Sequence, residues 1–168
     1  MNTSALLLEL YGRIPPLARE AVAGLTAEQL MHRPAPEANH IGWLIWHTIR
    51  VLDHQPAEVG GFEQAWTADH WAGRFGDPVG PDDHGYGHTS EQVGGVRTHS
   101  VEDLLAYLDA VHRRTTTFLK GLTDADLDRI VDHNWDPPVT LGVRLVSVAD
   151  DCLQHVGQAA YLRGLVLG

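Results

Sequence analysis

Gly24-Leu-Thr-Ala-Glu-Gln-Leu30 returns later in the chain as Gly121-Leu-Thr-Asp-Ala-Asp-Leu127. Each copy follows a long helical pattern and leads through a connector into another. In the first copy Thr26 and Gln29 make a capping-box pattern, in which side-chain oxygens satisfy backbone N–H groups reciprocally. Helix, Gly-Leu-Thr turn, connector, helix thus occurs twice, with a long Gly/Pro-rich stretch joining the copies. Two helix hairpins joined in this way predict an all-α fold: a four-helix bundle with a long crossover connection between helices 2 and 3. A crossover of roughly forty residues can span the bundle, so helices 2 and 3 are expected to run parallel.

The first helical pattern carries Leu7, Leu10, Ile14, Leu17, Ala21 and Leu25 at spacings of three and four. Pro15-Pro16 lie inside it and should kink or break it. The second helix is expected to start near Asn39 as N-cap, to bury Ile41, Leu44, Ile45, Thr48, Val51 and Leu52, and to end before Pro56. From Pro56 to His99 glycine and proline are dense, Pro78 and Gly85 among them. Short helices are expected there around Phe62 to Trp71 and Ser90 to Val96, with loop elsewhere, forming a crossover or a functional lid. Ser100 caps the third helix, with Asp103 in its first turn and Leu104, Leu108, Val111, Thr115, Phe118 and Leu122 along one face. An irregular stretch with Trp135 and Pro137-Pro138 follows, and Thr140 caps a fourth helix that runs to about Leu165.

A length of 168 residues is expected to form one domain, residues 1–168, with a real core. Hydrophobic content of 43% and charged content of 20% belong to an ordinary globular chain. A net charge of −10 argues against nucleic acid and anionic membrane as partners, since either would need a basic patch. No apolar run approaches the ~20 residues of a membrane span. The opening Met1-Asn-Thr-Ser-Ala-Leu-Leu-Leu-Glu9 has no basic segment before its leucines and reads as a helix start. A single cysteine excludes internal disulfides and fits a reducing compartment, so a cytoplasmic location is expected.

Asp151 and His155 interrupt the apolar stripe of the fourth helix in Asp151-Cys-Leu-Gln-His155-Val-Gly-Gln158. Four residues along a helix amount to a rotation of about 40° and a rise of about 6 Å, so both side chains point the same way. Unpaired polar groups are costly to bury, and a partner is required. On the second helix Trp43, His47, Arg50 and His54 form a comparable mixed stripe, with His47 at similar height. Two readings fit this spacing: hydrogen-bonded core histidines with an i,i+4 ion pair, or a divalent metal site of His47, Asp151 and His155 with a position left open for water or substrate. Arg50, Arg144 or His54 could recognise carboxylates at the mouth, and nothing in the sequence fixes a role for any of them. Cys152 falls with Leu145, Val148 and Ala159 and is assigned to core packing. His84-Gly-Tyr-Gly-His88 also has ligand-like spacing, but no helix aligns its rings, and it is not read as a site.

Ile41-Gly-Trp-Leu-Ile-Trp-His47 with Arg50-Val-Leu-Asp53, and Asp151 to Gln158 continuing into Tyr161-Leu-Arg-Gly164, resemble the DinB-like metal-binding superfamily. That group includes YfiT-like proteins and mycothiol-dependent maleylpyruvate isomerases. The likeness runs over nearly the whole chain, and Gln64 to His88 resembles actinobacterial members that carry this domain alone. The resemblance implies His47, Asp151 and His155 as ligands to zinc or nickel, with a water completing the site. Many relatives have His where this chain has Asp151, and the isomerase type has Glu. It further implies a metal-dependent transferase or isomerase that uses a small thiol such as mycothiol on a small-molecule substrate, and relatives often form homodimers through helix faces. The alternative is a metal- or small-ligand-binding bundle without catalysis.

Overall fold

Arg13 divides the first helical pattern. A computed structural model describes residues 1–76 and 80–168, and in it α1 (Thr3–Gly12) gives way to α2 (Ile14–Val22), with Pro15 and Pro16 in the first turn of α2. Proline is tolerated there because the first N–H groups of a helix have no intrahelical acceptor. The buried stripe crosses the break as Leu7, Tyr11, Ile14, Ala18 and Ala21. Leu10 is only partly buried and Leu17 is exposed, so the stripe is rotated by one residue from the expected one at those two positions.

The short α3 (Ala27–Met31) opens with the capping box of Thr26 and Gln29. Next comes α4 (Ile41–Gly60), which differs from expectation at both ends. Its N-cap is His40, whose Nδ1 accepts from the Trp43 N–H, rather than Asn39. The helix also runs through Pro56 to Gly61, a left-handed C-cap. Proline at position 56 removes the N–H that would have bonded to the Leu52 carbonyl. That carbonyl instead accepts from the Thr115 hydroxyl at 3.1 Å, so it is not left unpaired by the proline.

The crossover contains α5 (Ala65–Ala68), a 3₁₀ turn at Ala72–Arg74 and α6 (Ser90–Gly95). Pro78 lies outside the described residues. The crossover is a packed wall, with Trp66, Trp71 and Phe75 buried around Tyr107. Arg50 and Asp53 anchor it from α4. The Asp53 carboxylate accepts from the Ala65 and Trp66 N–H groups and the Tyr107 hydroxyl, and Arg50 donates to the Asp83 and Pro81 carbonyls and to Gln64.

Ser100 caps α7 (Val101–Lys120) as expected, and Thr140 caps α8 (Leu141–Leu167). Between them the stretch expected to be irregular forms a small antiparallel hairpin, β1 (Ile130–Asp132) with β2 (Val139–Thr140), joined in register at Ile130 and Thr140. The proline pair hid it, because proline argues against a strand, and here it occupies the turn between the strands.

Contacts between helices set their directions. Asp53 meets Tyr107, Leu52 meets Thr115 and Phe62 meets Phe118, so α4 and α7 run parallel. His47 faces Asp151 while Gln55 faces Arg144, so α4 and α8 are antiparallel. Tyr11 bonds the Leu145 carbonyl and Arg163 the Ala21 carbonyl, which aligns α1 and α2 with α8. This is the expected bundle with its long crossover. The position of α4 among these elements explains why it is buried almost all round, and why its polar stripe lies inside.

Candidate metal centre

Facing turns of α4 and α8 bring His47, Asp151 and His155 together. One ligand atom from each lies within 4.8 Å of the others, and among the described residues these three form the group able to hold a metal ion. His47 Nε2 stands 3.5 Å from Asp151 Oδ2, and His155 Nε2 stands 3.5 Å from Asp151 Oδ1.

The second nitrogen of each ring fixes its tautomer. His47 Nδ1 meets the backbone carbonyl of His84. A carbonyl only accepts, so Nδ1 carries a proton, and in the neutral ring Nε2 turns a lone pair toward Asp151. His155 Nδ1 meets Gln158 Oε1 at 2.9 Å with the same consequence. Trp43 stacks on His47, with centroids 4.8 Å apart and planes 5° apart, and sets its edge toward His155. Its indole N–H donates to His88 Nδ1, and His88 Nε2 donates to Asp83.

With both rings neutral three acceptors converge, and Asp151 Oδ2 is buried without a hydrogen-bond partner. A separation of 3.5 Å is too long for a good hydrogen bond. It is close to the roughly 3.0–3.4 Å that separates two ligands each about 2.1 Å from one ion. The donor set of two imidazoles and one carboxylate suits a divalent transition metal, so the residues present fit one. Burial alone would raise the Asp151 carboxyl, and His155 and His47, when protonated at Nε2, outweigh it and hold the group well below the usual carboxylate range. Asp151 in turn raises His155 against the opposing effect of burial.

A cleft of about 420 Å³ opens beside the cluster, and His47, Asp151, His84 and Arg144 line it. A larger groove of about 620 Å³ between Phe62, Asp69 and Arg114 lies elsewhere and includes none of the three clustered residues.

The remaining expectations divide. Cys152 is fully buried, as assigned, and burial pushes its thiol well up. Arg50 is corrected: it is fully buried and clamps the crossover, so it reads nothing at the mouth. Arg144 does line the cleft, but it is held by Gln55, Glu58 and Asp132. His54 is half-buried against His84, with ring centroids 5.1 Å apart, and stands outside the cluster. His84 and His88 are not in the cluster, yet their loop supports it, His84 through its carbonyl and His88 through Trp43. Burial, with His54, His47 and Arg50 nearby, lowers the His84 ring to about 4, so that ring is neutral at physiological pH. Gly85 marks the close approach in the sequence: its φ is +94°, and a Cβ there would lie 2.9 Å from His47 Nδ1.

The model of the DinB superfamily matches residues 11–159. The chain belongs to the DinB superfamily. A crystal structure titled as the conserved protein of locus from Enterococcus faecalis is 34% identical to this DinB-superfamily chain, with a TM-score of 0.92, covering 100% of this chain and 99% of that one. None of the curated proteins matches it. Among the described residues, no helix of this superfamily member is long and apolar enough to cross a membrane.

Proposed function

We propose that His47, Asp151 and His155 bind a divalent transition metal, zinc or nickel, and that the centre serves a transferase or isomerase reaction in which a small thiol of the mycothiol type acts on a small molecule. The observation that carries the metal is that His47 Nε2 and His155 Nε2 each face one oxygen of Asp151 at 3.5 Å, with Oδ2 buried and without a hydrogen-bond partner. Membership of a superfamily whose proteins often bind metal supports it.

When bound, such an ion supplies Lewis acidity that makes a coordinating thiol nucleophilic near neutral pH. The chain's own residues do the rest. His84 and Gln158 orient the two imidazoles, and Trp43 holds the plane of His47. Val51, Val143 and Val148 line the cleft and keep part of it dry. Cys152 is enclosed in the core and does not serve as the thiol, so the thiol comes from outside the chain. Exposed Val146, Tyr161 and Leu165 on α8 fit the homodimer that the reading includes.

Conjugation of mycothiol to monochlorobimane tests the reaction, with metal content measured on the same samples. Metal-loaded protein is expected to accelerate conjugation, and the His47→Ala variant is expected to lose both metal and acceleration. Equal rates with both proteins would refute this chemistry. Stoichiometric metal without acceleration would leave a binding module in its place.

A further inference from the structure

Tyr86 and Trp135 are large aromatic side chains left 87% and 66% exposed, and both line the cleft that leads to His47 and Asp151. They reach it from separate segments. Tyr86 sits between Gly85 and Gly87, whose φ values of +94° and +72° turn the crossover around it. Because Gly85 is pressed against His47, that turn sets Tyr86 beside the cluster. Trp135 comes from the turn of the β1–β2 hairpin, on the α8 side.

Exposed aromatic rings gathered at one cleft mark a recognition surface, since their faces favour flat apolar partners. Val51, Val139, Val143 and Val148 add apolar surface to the same cleft. Arg144 is the cation of the lining, and its guanidinium is engaged by Asp132 at 3.0 Å, Glu58 at 3.3 Å and Gln55 at 2.6 Å. Two carboxylates on one guanidinium leave no free positive charge for a carboxylate ligand.

We infer that the cleft takes a small molecule with a flat apolar end, aromatic or conjugated, packed on Trp135 and Tyr86, and a donor atom at its other end directed at His47 and Asp151. A volume of about 420 Å³ lies within the ordinary range of small-molecule sites. The donor end rests on the metal-centre reading above. The flat apolar end rests on Trp135 and Tyr86 alone.

Calorimetric titration of the zinc-loaded full chain separates the two. Benzyl mercaptan is expected to bind about tenfold or more tighter than 2-mercaptoethanol, the ratio expected for burying a phenyl ring. Trp135→Ala and Tyr86→Ala should each shrink that ratio while leaving zinc content and helicity unchanged, since both side chains are exposed. Benzyl alcohol, which lacks the thiol, should show saturation-transfer signals with metal-free protein that fall in Trp135→Ala. Equal binding of the two thiols, or a ratio unaltered by both substitutions, would overturn the inference. If benzyl mercaptan and benzyl alcohol bind alike and both depend on Trp135, the flat apolar end stands and the metal-centre reading fails.

Discussion

Gln158 decides which nitrogen His155 presents. Its Oε1 holds the Nδ1 proton, and without it the ring is free to flip or change tautomer. Partners of this kind typically contribute 10–100-fold to metal affinity. Gln158→Ala is therefore expected to weaken zinc binding by about 10–100-fold in a chelator competition titration. The fold should be unchanged, because Gln158 itself is exposed. An affinity equal to wild type would show that His155 does not depend on this contact. The three clustered residues were legible in the sequence because helical spacing fixes which side chains share a face. Gln158 lies on that same face, three residues past His155. The carbonyl of His84 was not legible, since a backbone acceptor from a Gly-rich loop leaves no side-chain pattern. Only Gly85 hinted at a close approach there. Arg50 misled for a related reason: its position in a polar stripe of α4 looked like a cavity mouth, and the crossover covers it.

Two contacts govern α4. Thr115 occupies the carbonyl that Pro56 leaves open, so Thr115→Val, which keeps the shape and removes the hydroxyl, strands a buried acceptor. The expected cost is about 1–3 kcal/mol in urea denaturation. A loss near zero would mean that the Leu52 carbonyl finds another donor. At the other end, His40 must be neutral in the folded state: Nδ1 accepts from the Trp43 N–H and Nε2 donates to the Val93 carbonyl. Burial, the largest influence, lowers its pKa from 6.5. The folded state therefore disfavours protonation. This contribution is complete above 6.5 and is lost as pH falls from there through the lower folded value. His40→Asn, a cap that does not titrate in this range, is expected to flatten the fall in melting temperature between about pH 7 and pH 5. Parallel curves for the two proteins would remove His40 from the acid response. Helix ends were the least legible part of the elements. Asn39 is the better cap by type, yet His40 reaches both Trp43 and α6. The Pro56 stop was overridden by a hydroxyl on a distant helix.

Architecture was legible at the scale of the molecule because a repeated Gly-Leu-Thr turn and a Gly/Pro-rich connection between two helix pairs leave few arrangements. What the pattern did not show is the aromatic packing of Trp66, Trp71 and Phe75 around Tyr107, and the placing of His84 and Tyr86 of the crossover along the cleft. Since the His84 loop, α4 and α8 meet at the cluster of His47, Asp151 and His155, a metal bound there is expected to stabilise the whole fold by linkage. At a free zinc concentration about 100 times Kd, the gain is about 2.7 kcal/mol, which for a chain of this size corresponds to roughly 5–10 °C in melting temperature. Chelation is expected to remove that gain from the native chain and to leave His47→Ala unaffected. The most direct measurement of the central claim is X-ray absorption at the zinc edge on zinc-loaded protein, with the metal counted per chain. The expected result is a single zinc per chain, bound by two imidazole nitrogens and a carboxylate oxygen, and lost in both His47→Ala and Asp151→Asn. Zinc far below one per chain after loading, or the same zinc content in His47→Ala as in the native protein, would contradict it.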